Sequence, residues 1–294
     1  MASWRAALRA PALPWVLLHL QPYSGSESDA TACELQFGRD QLGSPLAELR
    51  HAQLAALALD HVGYASAIDL GDPTSPYGDV HFRHKQLVSR RAVSAALSLA
   101  FGREGGAGGA LAYPPPAFLA QAPIRNPAAP AAATCAMAVR FANLDGPGGG
   151  GGGGSGTLPA VALGATPNPV VPGNGSGVCY PTLAAKAPYF NATCAGFELL
   201  CATPEVPHNA SHPSAWVAAD ATLSPDGTSL TLTARAGYGV DGLVARGSRY
   251  AWADFPQATL FAAAAGGELG LPILPWNQGL VCSGASPLPA GAVC

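Results

Sequence analysis

Between Gly146 and Gly156 the chain reads GPGGGGGGGSG. Such a run has no side chain to bury and loses the most backbone freedom on ordering, so it can only be a loop or linker. It has company in REGGAGG from Arg103, NPAAPAAAT from Asn126 and TPNPVVPGNGSG from Thr166. With 36 Gly and 28 Pro so clustered, any core built after about residue 105 must come from short segments. CAMAVRFANL, GFELLCA, AWVAADATLSPDGTSLTLTARAG and LVARGSRYAWADF fit that demand. They are short alternating runs parted by turn chemistry, SPDG at Ser224 to Gly227 among it, and predict an antiparallel β module with the Gly/Pro stretches as insertions between strands.

The N-terminal third has a different pattern. SPLAELRHAQLAALAL has helical spacing, with Ser44 and Pro45 as a helix start. YASAIDL predicts a strand and GDPTSPYGDVH a loop; KQLVSRRAVSAALSLAFG predicts a helix closed by Gly102. That order belongs to an α/β fold with a parallel sheet, in which ligands bind where loops leave the carboxyl ends of the strands. The first residues admit two readings. Arg5 and Arg9 before APALPWVLLHL fit a signal peptide, and WRAAL followed by PWVLLHLQ fits a helix end and a buried strand. No run reaches the ~20 apolar residues that cross a membrane.

The 294 residues carry a net charge of −3 with 11% charged side chains. No basic stripe is available to neutralise phosphates, and a nucleic-acid partner is not expected. Cys33, Cys135, Cys179, Cys194, Cys201, Cys282 and Cys294 contain no CxxC pair and no histidine at zinc-finger spacing; disulfides are expected, and neither metal nor cofactor. With glycosylation acceptors at Asn174, Asn191 and Asn209, this points to a secreted protein or one of an endomembrane lumen.

Chemistry concentrates in AIDLGDPTSPYGDVHFRHKQ, Ala67 to Gln86, where Asp69, Asp72, Asp79, His81 and His84 lie between the strand and a helix. This block resembles one in the sialate O-acetylesterases: a hydrophobic strand, Asp-Leu-Gly-Asp, a short loop, then Asp-Ile-His-Pro-Arg-x-Lys-Gln. SRYAWADFPQATLF, Ser248 to Phe261, and the series WRAAL, LLHLQ, LAELRHAQ resemble further segments of the same family in the same order, and the likeness spans most of Trp4 to Trp276. The resemblance implies an SGNH-type serine esterase that removes O-acetyl groups from sialic acid or related sugars. It implies a partial flavodoxin-like three-layer α/β domain over residues 1–104, a β-rich accessory domain over 105–276 and a tail over 277–294.

Ester hydrolysis by a serine needs a base that takes the hydroxyl proton and hands it to the leaving alkoxide, and a carboxylate that orients the imidazole. The family pattern places the base at His81 and leaves the carboxylate between Asp79 and Asp72, with Asp69 a strand-end residue. Two departures stand out: position 78 is Gly, so the Asp-x-x-His spacing is missing, and Phe82 replaces the family's proline. Arg249, Trp252 and Asp254 alternate as in a strand and are expected to pack rather than bind sugar. The nucleophile is absent: the chain has no Gly-Gln-Ser, Gly-Asp-Ser or Gly-x-Ser-x-Gly, and neither Ser66 nor Ser75 is expected on a nucleophile turn. The chain is therefore read as the C-terminal part of a longer esterase; the alternative is an inert extracellular module that binds glycans or packs in a matrix.

Overall fold

The computed structural model describes residues 1–22, 45–72, 75–102, 113–124, 135–142, 161–163, 196–202, 216–235, 240, 242–252, 256, 260–263 and 269–278. Among these, five of the cysteines, the three glycosylation acceptors, Ser44 and Asp254 are not included.

At the N-terminus, α1 (Ala2–Ala7) leads into β1 (Trp15–His19). Of the two readings of this stretch, the strand is the one formed. β1 pairs in parallel with β2 (Val62–Ser66), Trp15 beside Val62 and His19 beside Ser66. Arg5 holds the entry, donating to the carbonyls of Leu13 at 3.0 Å and Asp60 at 2.7 Å. α2 (Pro45–Leu54) runs on into a 3-10 turn at Ala55–Ala58. Its fully buried Arg50 donates to the carbonyls of Leu20 and Gln21, and Gln53 bonds both Leu18 and Leu20, so the carboxyl end of β1 is pinned by a helix. α3 (Lys85–Phe101) closes at Gly102 in the left-handed region, as the sequence predicts. It buries Val88, Arg91, Ser94 and Ala95, one face at helical spacing, and packs on β2 and β1.

β2 ends earlier than expected. The strand stops at Ser66 instead of Leu70, and the chain turns at Ala67 to Leu70. The turn sends Ile68, with no exposed surface, into the core of the β module and Asp69 to Arg91 beneath α3.

The remaining strands are β3 (Ala117–Pro123), β4 (Ala136–Ala142), β5 (Val161–Leu163), β6 (Phe197–Ala202), β7 (Trp216–Leu223), β8 (Ser229–Ala234), β9 (Val244–Tyr250), β10 (Leu260–Ala263), β11 (Leu269–Pro272) and β12 (Trp276–Gln278). They form a seven-stranded antiparallel sheet ordered β12-β9-β6-β7-β8-β4-β3 and a three-stranded one ordered β11-β10-β5. The large sheet curls nearly into a barrel. β4 and β6 stand three places apart, about 14 Å in a flat sheet, yet the disulfide Cys135–Cys201 joins their ends with the Cα atoms 5.9 Å apart. At the seam Gln121 of β3 bonds Gln278 of β12 and Ser248 of β9. Most of the described structure is thus β, and the α/β part is a corner of two parallel strands with α2 and α3 instead of a complete three-layer sandwich.

Candidate functional site

The described residues from Asp72 to Lys85 present a short loop over the carboxyl ends of β1 and β2. The buried Asp72 carboxylate takes both nitrogens of the Arg83 fork, Nε at 2.6 Å and Nη2 at 2.7 Å, and the Arg83 backbone N–H at 3.0 Å. A bidentate pair of this kind closes the loop at its base and fixes its orientation. Bonding to Arg83 holds the Asp72 carboxyl below the usual carboxylate range. Gln21, just past β1, donates to the carbonyl of Val80 at 2.8 Å and ties the loop to the strand edge. Phe82, where the resemblance leads one to expect proline, is buried with Ala67, Leu70 and Val88. Its side chain anchors the loop that a proline ring would have stiffened.

His81 ends a 3-10 turn, Asp79–His81, and is exposed. With Tyr77, Phe82, Arg83 and Lys85 it lines an open depression of about 550 Å³. Lys85 lies over the Phe82 ring, 3.7 Å from its centroid. The structure brings Asp72 and His81 into one loop but does not join them: both oxygens of Asp72 are on Arg83. Of the two carboxylates expected to serve the imidazole, Asp79 or Asp72, Asp72 is turned to Arg83, because a planar guanidinium two residues past the histidine satisfies both carboxylate oxygens at once. Asp79 opens the turn, two positions before His81. His84 occupies the N-cap position of α3 without a side-chain cap bond and is half-buried.

The other polar candidates have structural partners. Asp69 is buried on Arg91 at 2.6 and 2.7 Å, and Arg91 also donates to the Ser66 carbonyl. Ser66 and His19 form a buried pair at the ends of β2 and β1, Oγ to Nδ1 at 3.1 Å. Burial, then the charge of Arg50, lowers the His19 pKa to about 3. Ser66 and His19 are both buried, and neither lines the depression beside His81. Ser75 donates to the carbonyl of His81 at 2.8 Å and accepts from the Tyr77 N–H at 3.3 Å. Arg249 pairs with Glu198 across the sheet at 2.6 and 2.7 Å and lies 4.5 Å over the Trp216 ring. Trp252 is buried against His51, ring centroids 5.5 Å apart. Among the described residues no cluster of three or more His, Cys, Asp or Glu could hold a metal, and no helix is long and apolar enough to cross a membrane. Sequence reasoning missed the Arg83 clasp and Tyr77; the basic run after His81 was the available signal for the first.

No protein-family model matches the chain, and no curated protein matches it in sequence. Among solved structures it is similar to the crystal structure of a carbohydrate acetylesterase from Xanthomonas citri, with a TM-score of 0.54 and 20% identity. The match covers 94% of this chain and 43% of that enzyme, so the chain spans less than half of the enzyme's length. At this identity the likeness is one of fold, and it takes in both the α/β corner and the β module.

Proposed function

We propose that this chain forms the base-bearing portion of a carbohydrate O-acetylesterase of the serine type, acting on O-acetylated sialic acid or a related sugar. The observation that carries this reading is the placement of His81: exposed beside an open depression, over the carboxyl ends of two parallel strands, in a chain with the fold of an acetylesterase. In the mechanism, His81 removes the proton of a serine hydroxyl as it attacks the acetyl carbonyl, then returns it to the departing sugar alkoxide. It next activates water to release acetate. Asp79 is the carboxylate we assign to the imidazole, and Asp72 acts through the clasp on Arg83. The corner is then part of a three-layer SGNH domain whose serine block lies outside these 294 residues. The disulfide Cys135–Cys201 supports an oxidising, secretory compartment.

Two chain lengths test the proposal. The 294-residue chain should hydrolyse acetyl esters no faster than buffer. A longer chain that includes a Gly-Gln-Ser-Asn block should turn over O-acetylated sialosides and lose at least about 10³-fold in kcat with His81→Ala. Turnover by the shorter chain, or activity that survives His81→Ala, would sink the assignment; a longer chain with the serine block and no turnover would favour the inert glycan-binding module.

A further inference from the structure

Tyr77 is 75% exposed, more than any other large apolar or aromatic side chain among the described residues. Packing does not explain an aromatic ring in that position, because burying it contributes almost nothing to the fold. Its backbone, by contrast, is held closely. Gly78 sits at φ +85°, where residues with side chains are strained, and its N–H closes a turn onto the Ser75 carbonyl at 3.2 Å. The Ser75 hydroxyl accepts from Tyr77 N–H and donates to the His81 carbonyl, so one oxygen links the two residues. The His81 N–H donates to the Gly78 carbonyl at 2.9 Å. With the Asp72–Arg83 pair closing the base, Tyr77 and His81 share one braced frame and line the same depression.

We propose that Tyr77 is a carbohydrate-binding residue: the apolar C–H face of a pyranose lies on its ring, which sets the acetyl ester of that sugar toward His81. The negative face of an aromatic ring attracts polarised C–H groups, and a ring held outward in advance loses little freedom on binding. The choice of a sugar and the placement of its ester rest on the esterase reading; the outward, braced presentation of the Tyr77 ring stands on the geometry of the turn.

The test is an NMR titration of the isotope-labelled 294-residue chain with methyl sialoside and with its O-acetylated form, following the Tyr77 ring and the His81 imidazole. Wild type should show saturable shifts at Tyr77 with both sugars. Tyr77→Phe should bind within about threefold of wild type, and Tyr77→Ala about tenfold more weakly, with the His81 amide resonance unmoved to show an intact loop. Equal affinity in Tyr77→Ala, or no saturable binding by wild type, overturns the proposal. If both sugars bind through Tyr77 and the acetylated one leaves the His81 imidazole unshifted, the binding role stands and the esterase reading fails.

Discussion

Asp69 and Asp72 lie three positions apart, and each meets a different arginine. In the sequence Asp72 reads as a partner for His81 and Asp69 as a strand-end residue, but Arg83 and Arg91 offer planar forks that satisfy two carboxylate oxygens together, which one imidazole cannot do. The resulting pairs brace the ends of the turn and loop that carry His81. Buried His19 has the opposite problem: its pKa falls to about 3 because burial and Arg50 both penalise the charged ring, and its Nε2 has no partner among the described residues. An unfolded chain binds that proton near pH 6.5 and the folded one does not until about pH 3, so stability is full above 6.5 and declines as the pH falls between the two values. His51, also lowered by burial, has the same sign. Asp72 follows the carboxylate rule, its contribution being lost as the pH falls below the ordinary carboxylate range. Urea unfolding between pH 6.5 and 4 should show His19 contributing a slope of up to about 1.4 kcal/mol per pH unit. His19→Gln should flatten the curve by that amount, and an unchanged slope would mean the ring is protonated in the fold.

Among the elements, β2 and α3 position the site, and their contact depends on a glycine. A Cβ at Gly63 would stand 2.5 Å from the Tyr113 hydroxyl and 2.8 Å from Leu99 Cδ1. That hydroxyl accepts the Tyr64 N–H at 3.1 Å, and the two tyrosine rings meet edge to face. Gly63→Ala must therefore push Tyr113 out of its bond or part α3 from β2, and we expect a loss of about 1–3 kcal/mol in chemical denaturation. A neutral result would show that Tyr113 has room to move. The elements best announced by sequence are those with local punctuation. α3 ends on Gly102, and the β7–β8 hairpin turns at Ser224 to Gly227, where Asp226 accepts from the Ser224 hydroxyl and from the Thr228 N–H and hydroxyl. β3, β10, β11 and β12 lack such marks. β12 is three residues long and exists because Trp276 to Gln278 pair with Ser248 to Tyr250.

For the whole molecule, two hydrophobic clusters join the corner to the near-barrel. Ile68 belongs to the β-module core that also holds both disulfide cysteines, while Tyr64, Ala95 and Tyr113 pack with Leu271. Inside the curled sheet Phe118, Phe197, Tyr250 and Trp276 form a ring cluster with neighbouring centroids 4.8 to 5.3 Å apart. Cys135–Cys201 closes a chain segment with a sequence separation of 66 that includes the glycine run, and so restricts the unfolded state where it is loosest. Replacing both cysteines by alanine should lower stability by about 2–4 kcal/mol in denaturant unfolding, with the sheet retained by circular dichroism. A variant as stable as wild type would assign the closure to the aromatic cluster and the Gln121 seam alone.

Sequence by itself determined whatever is decided within a few residues: the helix over Lys85 to Phe101 and its glycine stop, the hairpin at Ser224 to Gly227, and the division into an α/β beginning and a β remainder. The position of the His81 loop after a buried strand was legible for the same reason. Only the tertiary structure decided that Trp15 to His19 is a strand, because its partner, Val62 to Ser66, lies more than forty residues away. It also ended β2 at Ser66, assigned Asp72 to Arg83 and left Tyr77 facing outward. Those outcomes depend on which groups meet when distant segments close on one another, and residue spacing carries no record of that meeting.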